Sequence, residues 1–193
     1  MTRIAIDAMG GDHAPHEIVA GAVWAASEYN VPIELVGKQD QIEHELEKIK
    51  RFGIKCTSPN VPYSRIRVDV EKLDIKITHA SEVIEMGEAP GQAIRKKKKS
   101  SIVMAVEAVA SGSSQAVVAA GSTGAAMAAS LFGLGRLPGI ERPAIATTLP
   151  TMKKPVILID AGANSNCTPQ MLLQFAITVS YTHLRAHETG AYL

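Results

Sequence analysis

The chain has 193 residues, enough for one ordinary domain or two small ones and for a core that needs no disulfide or metal staple. Hydrophobic residues make up 46% and charged residues 20%, which excludes a disordered chain. Lys+Arg 20 against Asp+Glu 19 leaves +1, so any electropositive site is local and the surface as a whole is no magnet for nucleic acid or membrane.

In chain order, Arg3–Asp7 reads as a short apolar strand ending on an acid. Ala8–Ala14 is a glycine-bearing turn, and Pro15 suits the first turn of a helix. Ile18, Val19, Ala22, Val23 and Ala26 then recur at helical spacing to about Tyr29. Ile33–Val36 is a second strand closed by Gly37, and Gln41–Lys50 is a polar helix with Ile42, Leu46 and Ile49 on one face. Phe52–Glu71 reads as an irregular excursion with one short strand near Ile66–Val70. Asp74–Thr78 is a strand, and Ala89–Ala110 is a long helix with an internal basic run, broken near Ser111-Gly112. Gln115–Ala120 is expected to be a strand buried on both faces. Gly121–Gly124 is a turn opening a small-residue helix, Ala125–Gly133. Ala144–Thr148 and Val156–Asp160 are two further strands, and Gly162–Thr168 is a loop before a helix that starts after Pro169. Alternating strands and helices give an α/β chain with a mostly parallel sheet and flanking helices.

No run reaches the roughly 18 to 20 apolar residues of a membrane span. The N-terminus lacks a signal-peptide layout, so a cytoplasmic chain is the default expectation. Cys56 and Cys167 are isolated and fit no zinc pattern. Aromatic residues are only 4%, too few for a stacking platform, so nucleic acid is not an expected partner.

In open α/β sheets, ligands sit beyond the carboxyl ends of strands, where loops enter helix N-termini. Three such loops are rich in glycine and small polar residues: Asp7–Pro15, Ala120–Ala125 and Asp160–Asn166. Glycine admits a close ligand, and helix-start amides favour an anion, so these loops point to phosphate and not to a metal. The candidates are Asp7, Gly10, Gly11, Gly121, Ser122, Thr123, Gly124, Asp160 and Asn164. Asp7 and Asp160 have a second reading, as caps of turns at strand ends. None of the loops fits a P-loop or a dinucleotide fingerprint, and Ser122 has no nucleophile elbow around it. Arg95-Lys96-Lys97-Lys98-Lys99 is either a solvated face or a patch for phosphate or an acidic partner. His13 follows Asp12 in a glycine loop, a better position for chemistry than His16, His44 or His79, although an imidazole there also suits simply holding the loop.

The segment Ile6–Pro15 resembles the opening signature of the phosphate acyltransferase family of bacterial phospholipid synthesis. The resemblance continues through His79–Ile84, Arg95–Ser101, Ala120–Ala125, Gly135–Ala144 and Asp160–Asn164, in family order, up to about Ile177. It implies a fold similar to the isocitrate and isopropylmalate dehydrogenases and phosphotransacetylases. It implies an enzyme that makes acyl phosphate from long-chain acyl carrier protein and inorganic phosphate. It also implies a homodimer, peripheral membrane association and no metal or organic cofactor. Residue type and loop position then suggest Asp12 and His13 for the proton and Arg95 for phosphate charge, with Lys96, Lys97, Lys98 and Lys99 docking the acidic carrier protein. Two alternatives stay open: a phosphotransacetylase-like enzyme acting on acyl-coenzyme A, and a non-catalytic phosphate-binding fragment.

Two stretches depart from the family. Arg51–Val70 is longer than expected. From about residue 178 the chain has no amphipathic period and resembles translated sequencing-adapter read-through, so residues 178–193 are expected to form no domain and the His183–His187 spacing to be accidental. Residues 1–177 then correspond to the N-terminal part of an α/β domain, with Met171, Leu172 and Phe175 lacking partners. On this reading the 193-residue chain is poorly stable and inactive. Its thermal transition is expected to be low and broad, and a cooperative melt at high temperature would contradict the reading.

Overall fold

The computed structural model describes residues 2–55, 65–164 and 166–188, with the backbone alone given for 180–188. Cys56 and most of the irregular stretch before Arg65 lie outside the described residues. The chain divides into two units, residues 1–134 and 135–193.

The first unit is built on β1 (Ile4–Asp7), β2 (Ile33–Gly37), β5 (Ile75–His79) and β6 (Ala116–Ala119). They form a parallel sheet in the order β5-β2-β1-β6. Two-residue strands β3 (Ile54–Lys55) and β4 (Arg65–Ile66) pair antiparallel beside it, and Val70–Lys72 forms a 3-10 turn. Helices α1 (His16–Tyr29) and α2 (Gln39–Phe52) follow β1 and β2. Side chains alternate across each strand, so Ile6, Ala8, Ile33 and Leu35 join Val19, Val23, Ile42 and Ile49 in one core on the α1–α2 face. Ala5 and Val36 point the other way, toward Ala105 and Ala108. Pro15 stands just before α1 and not within its first turn.

Three expectations change here. The helix expected over 89–110 is two, α3 (Pro90–Lys96) and α4 (Ser101–Ala110). The break is made by a partner distant in sequence. The Glu82 carboxylate accepts the Lys99 N–H at 3.0 Å, and the Glu82 carbonyl accepts the Ser101 N–H at 3.1 Å. Strand β6 is not buried on both faces, since Val118 is 50% exposed. It lies at the sheet edge, where α4 and α5 (Thr123–Gly133) cover Val117 and Ala119 while α1 and α2 pack on β2 and β5. The last two strands do not extend the parallel sheet: β7 (Ala146–Leu149) and β8 (Val156–Ile159) pair antiparallel in the second unit.

That unit also holds α6 (Pro169–Glu188), a single helix whose backbone continues past Ile177. The Thr168 hydroxyl accepts the Met171 N–H at 3.2 Å and starts it. Met171 and Phe175, four residues apart on one face, are buried, contrary to expectation, and Leu172 is exposed on the other.

The sheet carries one buried acid that the sequence reading passed over. Glu34 on β2 is 2% exposed and faces away from α1 and α2. It accepts bonds from Lys76 Nζ (2.7 Å), Thr78 Oγ1 (2.6 Å), Ser113 Oγ (3.1 Å) and Ser114 Oγ (3.0 Å). Burial pushes its carboxyl upward, but these four donors outweigh burial and hold it at about 2. Glu34 thus ties β2 to β5 and to the turn after α4. A depressed folded pKa stabilises the fold above the ordinary carboxyl range, and that stability drains away as pH falls toward about 2. Glu34→Gln is expected to cost on the order of 2 kcal/mol at neutral pH, because four donors lose their anion. Urea denaturation at pH 7, 4 and 3 checks this: the gap between variant and parent should narrow as the pH drops, and a constant gap would contradict it.

Candidate anion site at the sheet's carboxyl edge

Strand β1 lies between β2 and β6, and the chain turns from β1 toward β2 on one side while β6 is added on the other. That reversal makes the β1–β6 boundary the switch point of the sheet, where a crevice opens at the strands' carboxyl ends. Two of the three glycine loops leave the sheet there side by side, since Asp7 pairs with Ala119 in register.

Their backbones touch. A Cβ added at Gly121 would lie 2.9 Å from Gly10 Cα, and one added at Gly10 would lie 2.8 Å from Asp7 Oδ2 and 3.0 Å from Gly121 N. Only glycine fits on both sides of such an approach. Gly11 has φ +114°, which an L side chain rarely adopts, and its carbonyl accepts the Ala14 N–H. Ser122 caps α5, its Oγ accepting the Ala125 N–H at 3.3 Å, and leaves its own hydroxyl proton free to donate. Thr123 is the exposed first residue of α5. At Gly124 a Cβ would meet Pro90 Cγ at 2.8 Å, so the starts of α3 and α5 abut.

Asp7 is 5% exposed and lies on the α4 side of the sheet. Its Oδ1 accepts the Met9 N–H at 3.1 Å. Burial raises its pKa, only partly offset by hydrogen bonds from the Ser101 side chain and the Met9 and Gly10 amides. Asp12 and His13 are exposed on the same loop, and the His13 carbonyl accepts the Glu17 N–H.

The basic run divides by role. The Arg95 guanidinium stands over the Phe132 ring of α5 at 5.6 Å from its centroid, a contact that leaves its charge unneutralised. Lys97 turns inward, donating to the Val83 carbonyl at 2.8 Å and to the Glu88 carboxylate, so its charge is spent within the fold. Lys96, Lys98 and Lys99 are exposed and their ammonium groups have no partner among the described residues.

The third glycine loop belongs to the second unit. Asp160 accepts four bonds there: from Ile145 N (2.9 Å) and Ala163 N (3.2 Å) on Oδ1, and from Asn164 N (2.7 Å) and Asn164 Nδ2 (3.0 Å) on Oδ2. Burial would raise its pKa, but those donors outweigh it and the pKa is lowered. Asn164 Nδ2 also donates to the Pro143 carbonyl. Both side chains are thus occupied in shaping their own turn, which favours the turn-capping reading of Asp160. The His183–His187 side chains are not among those described. Sequence reasoning missed Ser100 and Ser101, although two serines before an apolar run are a helix-start signal. The lysine run, taken as helix interior, hid it.

The family described as "Fatty acid synthesis protein" matches residues 2–187. The chain is 50% identical over 175 residues to the phosphate acyltransferase of Pelotomaculum thermopropionicum, covering 91% of this chain and 45% of that protein. It is 51% identical over 177 residues to that of Desulforamulus reducens, covering 92% and 47%. It is 53% identical over 174 residues to that of Heliobacterium modesticaldum, covering 90% and 47%. The chain thus spans under half the length of these curated relatives. Gly121→Ala is expected to destabilise the first unit by about 1–3 kcal/mol, because the new methyl forces the two loops apart. A thermal melt unchanged from the parent would contradict that contact.

Proposed function

The chain belongs to the fatty acid synthesis protein family, and from that premise we propose that it supplies the phosphate-holding part of a phosphate acyltransferase acting on long-chain acyl carrier protein. The observation that carries the proposal is the touching of the Gly10 and Gly121 loops beside the start of α5. Backbone amides, the Ser122 hydroxyl and the Thr123 hydroxyl there suit an oxyanion of small size.

The reaction asks little of an acid or a base. A phosphate oxygen attacks the thioester carbonyl, the carbon–sulfur bond breaks from the tetrahedral intermediate, and the proton of hydrogen phosphate ends on the carrier's thiol. Acyl phosphate and free carrier protein result. The chain's task is to hold the dianion, aim it and stabilise the oxyanion. Glycine-loop amides with Ser122 and Thr123 hold and aim it. Arg95, stacked over Phe132, supplies charge. Asp12 and His13, exposed on the loop after β1, relay the proton. Lys96, Lys98 and Lys99 face solvent, where an acidic carrier protein can approach. A homodimer and contact with the inner membrane surface belong to the same proposal for the longer protein. No helix among the described residues is long and apolar enough to cross a membrane.

The test is phosphate-dependent loss of the thioester of long-chain acyl carrier protein, with acyl-coenzyme A assayed in parallel and acyl phosphate trapped by hydroxylamine. A full-length protein carrying residues 1–177 of this sequence is expected to consume the carrier thioester. Consumption of the coenzyme A thioester alone would favour the phosphotransacetylase reading, and phosphate binding without turnover a binding role. The 193-residue chain by itself is expected to show no turnover.

A further inference from the structure

We propose that Lys97 is a positioning residue of the anion site: by clamping the strap 83–88 to the end of α3, it seats Pro90 against Gly124 and so sets where α5 begins. Lys97 directly follows α3, and its Nζ reaches back to both ends of the strap, donating to the Val83 carbonyl at 2.8 Å and to Glu88 Oε1. The same Oε1 accepts the Glu85 N–H at 2.8 Å, and the Glu85 carbonyl accepts the Glu88 N–H at 3.2 Å. A charged donor on a charged acceptor makes this the strongest bond the strap has. Ile84, inside the strap, is buried with Ala93 and Ile94 of α3 and Ala125 and Ala129 of α5.

The strap leads straight to the site. Pro90, the first residue of α3, follows it after Ala89, and its Cγ would lie 2.8 Å from a Cβ added at Gly124. Gly124 comes directly after Ser122 and Thr123, the cap and first residue of α5. Helix α3 meets α5 again where Arg95 stands over Phe132. A strap that slides therefore moves Pro90, and Pro90 has no free space in which to move without pushing on the start of α5. The neighbours of Lys97 supply an internal comparison. Lys96, Lys98 and Lys99 are exposed and bond to nothing described, whereas Lys97 is half-buried and bonds twice. The clamp stands independently of the reaction, and only its effect on phosphate rests on the phosphorolysis reading above.

Hydrogen–deuterium exchange and steady-state kinetics on a full-length protein carrying residues 1–177 of this sequence test it. In Lys97→Met, exchange over 83–90 is expected to rise about tenfold, the loss of a bond between charged groups. Exchange over 33–37 in β2 is the reference for the fold as a whole and should not change. Lys97→Arg, which keeps charge and donors, should restore most of the protection, and Lys98→Met should leave it at the parent rate. If Lys97→Met raises exchange over 33–37 as well, Glu88→Gln decides: it keeps an acceptor for the Glu85 N–H and should loosen 83–90 alone. In the phosphorolysis assay Lys97→Met should raise the KM for phosphate about fivefold with a smaller change in kcat, since the site is displaced and no reacting group is lost. Lys98→Met should do the converse, raising the KM for carrier protein in a salt-dependent way and leaving that for phosphate alone. Exchange over 83–90 unmoved by both Lys97→Met and Glu88→Gln, or a Lys97→Met enzyme that matches Lys98→Met in its kinetics, would overturn the assignment. If no variant, parent included, turns over thioester, the proposed function fails while the exchange comparison still decides whether Lys97 clamps the strap.

Discussion

Side-chain alternation along β1 governs most of what this fold can do. The strand has four residues and two neighbours. Ile4 and Ile6 must enter the core under α1 and α2, because that is where the apolar faces of those helices lie. Ala5 and Asp7 are then forced to the opposite side, toward α4. A small residue at Ala5 lets α4 approach closely, and the next position on that face brings a carboxyl beneath the start of the same helix. Shifting the register by one residue would exchange the two faces, burying the acid among the apolar residues of α1 and α2. The position of Asp7, the hold on Met9 and the contact between two glycine loops all follow from that parity.

Local signals made much of this readable. The four parallel strands, α1, α2 and the turn into α5 each announce themselves through periodicity and small residues, and the two facing loops stood out because glycine clusters at strand ends. What stayed hidden depended on partners far away in sequence. The division between α3 and α4 needs Glu82, which binds Lys99 and Ser101 but carries no mark of doing so. The exposure of Val118 depends on where helices happen to lie, and an apolar tetrapeptide looks the same at an edge as in a centre. Strands β7 and β8 show the same limit, since a short apolar run does not disclose whether its partner is parallel or antiparallel.

The acids follow a related logic. Asp7 and Glu34 are buried and Asp160 is half-buried, yet their surroundings sort them. Glu34 and Asp160 are met by enough donors to remain ionised, and both act as ties, one across the sheet and one within a turn. Asp7 is met by fewer and is pushed the other way. Composition cannot separate the three. The number of donors around each can, and it sets the direction in which each pKa moves.

The gap between α3 and α4 has an electrostatic consequence. One unbroken helix would present a single positive end. Two helices present two, and the second begins at Ser101, on the face of the sheet where Ala5 meets α4. A helix start carries roughly half a positive charge. Because Ser100 and Ser101 are buried, dissolved ions cannot gather there to cancel it, whereas the lysines just before them stand in solvent and are screened within about 8 to 10 Å at physiological salt. The protein thus owns two sources of positive potential in one short stretch of chain. One fades as salt is added, and the other persists.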